Sequence, residues 1–553
     1  MRALLVQARS PTTYWSFEHA LPFTGKAATY PPLGIATLAA LLPDRWELRL
    51  RDLHVEPLVD ADLAWADVVL VSGMLVQQES MRDVLRRARA MGRRTVVGGP
   101  APSTAPEMFE EADHVFRGEA EGRLDLLVQV LEAPTPESPR VLSPEGGDRP
   151  DLGLARVPRF DLLDLSRYAS HALQYSRGCP FQCEFCDIIE IFGRVPRVKS
   201  PEQVVAELDA LRAVGARGTL FFVDDNFVAN RRAVAQLLPV LRAWQERNGF
   251  PFVFCTEASI DLATHPALVA AMVDAGFGQV FLGIETPSIE ALAQARKTQN
   301  LRMPQERAVE ELTRAGLEVY AGFIVGFDTD GPDIFDRQLA FISGLPIARA
   351  MVGLLMALPG TQLWKRLERE GRLRGAPNGD QFNRPNFVPG MDERTLLTGY
   401  RRLLASVYSP DVYYRRCALH LDTVRIRRGA VAHSVGNGSL RTLWRAVWRL
   451  GIRGRRRSLF WRLVARGLRR GTDLLPRAVM FAIVGESLIR YTNEVVLPRI
   501  DASLAELDAA ELAAGQRASA TRAEGAAAGE RPASRISKRS DAALERPREL
   551  VDR

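Results

Sequence analysis

Ser176-Arg177-Gly178-Cys179-Pro180-Phe181-Gln182-Cys183-Glu184-Phe185-Cys186 holds three of the chain's five cysteines, in the spacing C-x3-C-x2-C. The stretch follows an apolar strand pattern at Leu173–Ser176. Three thiolates on one short loop can hold three irons of a cubane cluster, and the fourth iron then stays open to a small molecule. A structural zinc site takes four ligands, usually in CxxC pairs, and no fourth Cys or His follows at a suitable spacing. A redox CxxC pair would leave Cys179 without a role.

On either side of this loop the chain alternates strand and helix patterns. Downstream, apolar strands are expected at Thr219–Val223, Phe252–Thr256, Val280–Ile284, Val319–Val325 and Ala350–Met356, with helices such as Pro201–Ala213 and Arg232–Asn248 between them. Six βα units within 166–385 predict a partial (β/α)6, TIM-like barrel, which carries its chemistry at the strand carboxyl ends. Upstream, residues 1–132 predict a doubly wound, Rossmann-like parallel α/β sheet. The turns Ser72-Gly73, Gly98-Gly99-Pro100 and Gly118–Gly122 fall at its strand ends, where such sheets bind ligands. Glycines there let a backbone approach a bulky ligand, or simply close tight turns. Residues 133–165 are proline-rich and read as a linker or a loop with β-hairpin character. Residues 386–500 are mostly helical by pattern, and 501–553 read as a disordered tail with a short helix near its start.

The composition of the 553 residues is globular, with 46% apolar and 25% charged residues. Five cysteines are too few, and odd in number, for a disulfide-built secreted protein. No signal-peptide pattern opens the sequence, and the best uncharged apolar run, Ala478–Gly485, is too short to span a bilayer. A cytoplasmic protein is expected, with peripheral contact to the inner face of the membrane as an option. The net charge of +7 is unevenly placed: Thr423–Arg477 holds fifteen arginines and one acid, a local +14 that leaves −7 elsewhere. Leu440, Leu443, Trp444, Val447 and Leu450 recur there at helical spacing, with Trp448 and Trp461 nearby. Basic amphipathic helices suit a membrane surface better than base readout, so nucleic acid is not the expected partner. A helical bundle with solvated arginines would give the same pattern.

The cysteine loop, with Phe185 before its last cysteine and a βα barrel after it, resembles the radical S-adenosylmethionine (SAM) superfamily. The resemblance implies that Cys179, Cys183 and Cys186 hold a [4Fe-4S] cluster and that SAM chelates the fourth iron. It further implies that one electron cleaves SAM to methionine and a 5′-deoxyadenosyl radical, which takes hydrogen from substrate. Gly322, Ile324 and Gly326 resemble the strand motif beside the adenine, with Asp328 where the family commonly has Glu. Asp225 and Asn226, beside Asp224, would meet the SAM amino end. Glu257 and Ser259 stand where ribose or carboxylate contacts arise, and Glu285 ends the fourth strand.

The order of doubly wound domain, barrel and helical region is similar to the cobalamin-binding radical SAM enzymes. Tyr30-Pro31-Pro32-Leu33-Gly34-Ile35, Cys186-Asp187-Ile188-Ile189 and Phe222-Val223-Asp224-Asp225-Asn226-Phe227 resemble the subgroup of hopanoid C-2 methylases and bacteriochlorophyll side-chain methylases, over roughly residues 1–490. The resemblance implies bound cobalamin, with backbone contacts at Ser72, Gly73, Gly98 and Gly99, and methyl transfer to an unactivated carbon of an apolar, lipid or tetrapyrrole-like, small molecule. It implies a reducing partner of the flavodoxin or ferredoxin type. Asp52-Leu53-His54-Val55-Glu56-Pro57 is similar to the cobalt-ligating D-x-H-x-x-G, but it ends in Pro57 and follows the second strand, so His54 is expected to be an ordinary loop residue. Cys255 and Cys417 are expected to be buried, inert thiols. Two other functions fit the sequence less fully: a radical rearrangement or ring closure with the B12-type domain as scaffold, and a non-catalytic iron–sulfur or nucleic-acid-binding protein.

Overall fold

A computed structural model describes residues 1–143, 149–375, 377, 379–425 and 440–529. It divides into two units, Met1–Ser503 and Leu504–Arg553.

The first sheet is built from short Val- and Leu-rich runs. Its strands are β1 (Arg2–Gln7), β2 (Glu47–Asp52), β3 (Val68–Ser72), β4 (Arg94–Gly98), β5 (His114–Phe116) and β6 (Val141–Leu142). They pair in parallel in the order β2-β1-β3-β4-β5-β6. Side chains alternate between the two faces, and each face buries its own core. Leu5, Leu70 and Val96 meet the helices Leu33–Leu41 and Asp125–Glu132 on one side. Leu4, Val6, Val69 and Val71 meet the helix Gln78–Ala90 on the other. Burial on both faces is what requires continuous apolar strands rather than alternating ones.

Residues 133–165 differ from a linker or hairpin at one place. Val141 and Leu142 pair in parallel with Val115 and Phe116 and extend the sheet by one edge strand. The β5 backbone is already extended there, with Arg117 N donating to the Leu142 carbonyl at 3.0 Å.

The second sheet comprises β7 (Ser170–Leu173), β10 (Gly218–Phe222), β11 (Phe252–Ala258), β12 (Phe277–Glu285), β13 (Glu318–Val325) and β14 (Arg349–Leu354), all parallel and in sequence order. Its edge strands β7 and β14 do not pair with each other, so the barrel stays open as a half-barrel. The sequence suggests one strand over Leu173–Ser176, but the chain breaks there. Buried Asp224 accepts hydrogen bonds from the Tyr175 and Ser176 backbone N–H groups. This draws the chain off β7, and Ser176–Arg177 (β8) pairs instead, antiparallel, with Arg197–Val198 (β9).

Helices Glu393–Val407, Pro410–Thr423, Arg457–Arg470 and Leu475–Tyr491 follow the half-barrel. The N-terminal segment reaches into this helical region. The Tyr14 ring stacks on Tyr408 at 5.1 Å and meets Tyr491 edge-on at 4.9 Å, and its hydroxyl bonds Thr492 Oγ1 at 2.8 Å. Among the described residues, no helix is long and apolar enough to cross a membrane. The expected disordered tail is in part a helix, Leu497–Gly529. Its alanines, glutamates and leucines are strong helix formers, and no proline interrupts it after Pro498. The rest of that expectation, 530–553, lies outside the described residues.

Gly399 sits where the helix Glu393–Val407 packs on Phe335, and a methyl group there would overlap the ring. Gly399→Ala should therefore destabilise the protein by about 1–3 kcal/mol through overpacking. A thermal unfolding midpoint unchanged from that of the parent chain would contradict this packing.

Candidate active site: a cleft shared by two sheets

The cysteine loop leaves β8 at Gly178, whose φ of +96° only glycine adopts easily. A Cβ at Gly178 would stand 2.9 Å from the Val195 carbonyl oxygen and 3.0 Å from that of Gly193. Cys179 N donates to the Gly193 carbonyl at 3.2 Å, and Glu184 N donates to the Ala295 carbonyl at 2.9 Å, so both ends of the loop are fixed. Cys183 is buried, and Cys179 and Cys186 are partly so.

The three thiols lie within electrostatic reach of one another. Burial pushes the Cys179 and Cys186 thiols up, and charge on the neighbouring cysteines pushes them further. Metal-bound thiolates relieve that cost, because the metal supplies the missing positive charge. Donors also face the sulfurs: Gln299 Nε2 stands 3.4 Å from Cys183 Sγ and Asn226 Nδ2 3.9 Å from Cys179 Sγ. Lys297 is buried beside them. Burial pulls its pKa down, but paired Glu285 and the thiols of Cys183 and Cys186 outweigh this and raise it. Among the described residues, no three His, Cys, Asp or Glu side chains gather closely enough for a single ion. A cubane takes its thiolates at separate corners, so this loop fits an iron–sulfur cluster better than zinc.

Acids converge at the neighbouring strand ends. Asp225, after β10, has a buried Oδ2 with no hydrogen-bond partner. Its carboxyl is pushed up to about 7, first by burial and then by Asp224. Glu257, on β11, is pushed up to about 8 by burial and by the same two aspartates. A cationic ligand entering here would relieve all three acids. Asn226 and Ser259 bond each other, with Ser259 N donating to Asn226 Oδ1 at 3.1 Å. They hold the ends of β10 and β11 together beside Cys179. Glu285 ends β12 at φ +67° and pairs with Lys297.

On β13, Gly322 lies against the Phe281 ring, where a Cβ would come within 2.8 Å of it. Gly326 turns the chain at φ +102°, and its N–H donates to Asp330 at 2.9 Å. Ile324 and Phe185 share one hydrophobic cluster with Phe327. Asp328 is already engaged: Arg366 at 2.8 Å and Arg372 at 2.5 Å hold its carboxyl below the usual range despite burial. It is an ion-pair partner at the end of this strand.

The carboxyl edge of the first sheet opens into a cleft of about 250 Å³, lined by Ser72, Gly98, Gly99 and Gly118. Its opposite wall belongs to the half-barrel: Gln174, Arg177, Ile191, Phe192 and Val223. Gly99 has φ +101°, and a Cβ there would meet Ser72 Oγ at 2.7 Å. Gly73 is not among the residues that line the cleft, and a Cβ there would meet Met81 Sδ at 2.7 Å. His54 is also outside it. Its Nδ1 bonds Asp52 Oδ1 at 2.8 Å and its Nε2 accepts from Ser10 N at 3.0 Å, so both ring nitrogens are committed.

The two walls are joined by buried charge. Arg177, two residues before Cys179, reaches Glu119 at 2.9 Å and Glu121 at 2.7 Å, and Arg197 reaches Glu119 at 2.9 Å. Burial alone would raise the Glu121 pKa, but Arg177 overrides this and lowers it.

The chain matches the model of the B12 binding domain over residues 27–128 and that of the radical SAM superfamily over 173–341. Residues 361–499 match a domain of unknown function, DUF4070. A methyltransferase of Synechocystis sp., itself uncharacterized, is 38% identical over 511 residues, covering 91% of this chain and 94% of that one. The hopanoid C-2 methylase of Rhodopseudomonas palustris is 35% identical over 512 residues, covering 91% and 95%. The chain belongs to the B12-binding radical SAM methyltransferases. The fold of this methyltransferase is also that of the cobalamin-dependent SAM radical enzyme OxsB, with a TM-score of 0.56 at 15% identity over 91% of this chain and 83% of that one.

Sequence reading missed the carboxylates of Glu119 and Glu121, although it singled out the glycines around them. It also missed Lys297 and Gln299, which follow a short helix with no periodic signal and approach the cluster loop only through the fold.

Two outcomes follow for this methyltransferase. If the Asp225 carboxylate accepts from the amino group of SAM, it must be anionic, so SAM should bind more tightly as pH rises through about 7. Asp225→Asn should flatten that profile in equilibrium binding measurements, and an unchanged profile would remove Asp225 from the role. Arg177→Ala strands the buried carboxylate of Glu121, leaves Glu119 to Arg197 alone, and should cost about 3–5 kcal/mol at neutral pH. Glu121's lowered pKa gives stability present above the ordinary glutamate value of 4.5 and lost on acidification. The gap between parent and variant in denaturant unfolding should therefore narrow as pH falls through that range.

Proposed function

We propose that this methyltransferase places a methyl group on an unactivated carbon of an apolar polycyclic lipid, using SAM, a [4Fe-4S] cluster and cobalamin. The observation that carries the reading is the shared cleft. The carboxyl ends of both sheets line one space, and Arg177 ties the cluster loop to the B12-type domain across it. When bound, the cluster supplies the electron that cleaves SAM, and cobalamin carries the methyl group.

The chain's own residues provide placement. Cys179, Cys183 and Cys186 hold the cluster, and Lys297 and Gln299 offset its charge. Asp225 would accept from the SAM amino group and Glu257 from the ribose, with Asn226 and Ser259 setting their position. Gly322, Ile324 and Gly326, along and just past β13, would border the adenine, with Phe185 on the apolar side. The backbones at Ser72, Gly98 and Gly99 border the corrin space. The inner wall of the half-barrel is aromatic, with Trp15 on Phe281 at 5.1 Å and Tyr30 on Phe221 at 5.4 Å. Such walls exclude water and suit an apolar substrate, as the 35% identity to a hopanoid C-2 methylase also suggests.

The test is anaerobic reconstitution with iron, sulfide and cobalamin, followed by incubation with SAM, a reductant and a pentacyclic hopanoid. Methylated product should appear with both S-adenosylhomocysteine and 5′-deoxyadenosine. Release of 5′-deoxyadenosine alone would indicate rearrangement or ring closure instead. Cys183→Ala should lose the cluster absorbance and all SAM cleavage, and retained cleavage would sink the cluster assignment.

A further inference from the structure

We propose that the face formed by Leu440–Ala446, Val447–Ile452 and Arg457–Arg470 docks on an anionic lipid bilayer. The inner side of these elements is accounted for. Ala446, Leu450, Phe460, Leu463 and Val464 are buried. The outer side is not uniformly polar, as a solvated face would be. Leu440 is 85% exposed, Trp444 64%, Ile452 50% and Trp461 45%.

These exposed groups form one surface. Trp444 and Trp448 stack in parallel at 6.1 Å, the Arg453 guanidinium lies 4.6 Å from the Trp448 ring, and Trp461 Nε1 donates to the Gly451 carbonyl at 2.9 Å. A groove runs between Trp444, Arg445, Trp448, Arg449 and Arg453. Indoles in such positions belong at a lipid headgroup boundary, where the ring is half apolar and half wet.

The charge is complementary to the same partner. Arg441, Arg449, Arg453, Arg455, Arg457 and Arg462 show no acidic partner among the described residues. By contrast, Arg456 pairs with Glu486 and Arg466 with Asp422. Guanidinium groups hold phosphate in two-point contacts. A nucleic acid would use the arginines but leave Leu440 and Ile452 in water, whereas a bilayer uses both.

The surface also touches the N-terminal segment that packs on the half-barrel. Arg445 donates to the Phe23 carbonyl at 3.2 Å, and the Arg449 guanidinium lies 5.4 Å from the Phe23 ring. The same N-terminal segment sets Trp15 against Phe281 inside the half-barrel. Docking through this face brings the segment close to the membrane surface.

The full-length protein should sediment with phosphatidylglycerol-containing vesicles at low salt, with a blue shift in tryptophan emission, and much less with pure phosphatidylcholine vesicles. The double variants Trp444→Ala/Trp448→Ala and Arg449→Glu/Arg453→Glu should each lower partitioning at least about tenfold, since they remove the apolar or the electrostatic contribution. Both variants should keep SAM cleavage in detergent solution, because none of the four residues belongs to the cleft. That readout separates failure of the docking surface from failure of the proposed chemistry. No retention by phosphatidylglycerol vesicles, or equal retention of parent and variants, would overturn the proposal. So would tighter, steeply salt-dependent binding to duplex DNA.

Discussion

Arg177 is a cation placed inside protein between two carboxylates of another domain. Three such groups could not be buried singly, because desolvation of each would exceed any local gain. Together, and with Arg197 on Glu119, they form a joint that is stable only when the two sheets face each other. The joint fixes a direction as well as a contact. It holds the carboxyl ends of both sheets toward one cleft, with the cluster loop two residues away in sequence. Neither sheet could impose that arrangement alone.

A second constraint is the crowding of negative groups beside the cluster loop. Asp224, Asp225 and Glu257 lie near one another, and two of them are pushed close to neutrality. Asp224 spends its charge on the loop backbone, which explains why the chain leaves β7 where it does. Asp225 keeps an oxygen free. The two neighbours in sequence thus differ: one is spent on backbone, and the other keeps an unpartnered carboxylate oxygen.

Much of this was legible beforehand. The parallel sheets follow from Val- and Leu-rich runs alternating with helices, and the cluster loop from its cysteine spacing. What the residues alone did not disclose depends on the third dimension. Glu119 and Glu121 look like ordinary loop acids until Arg177 is brought to them. Val141–Leu142 has no strand signature beyond two apolar residues and becomes a strand only because β5 offers an open edge. Asp328 resembles an adenine contact by position, yet two arginines from later in the chain, Arg366 and Arg372, claim it. Gly73 matches a ligand turn in sequence, but its neighbour Met81 occupies the space.

The path of Tyr14 has a consequence for how the chain matures on the ribosome. Its ring lies among Tyr408 and Tyr491, and its hydroxyl bonds Thr492. The first sheet can collapse as soon as its own strands emerge, but this early segment has no berth until nearly the whole chain has been made. Closure over the half-barrel is therefore a late event of synthesis.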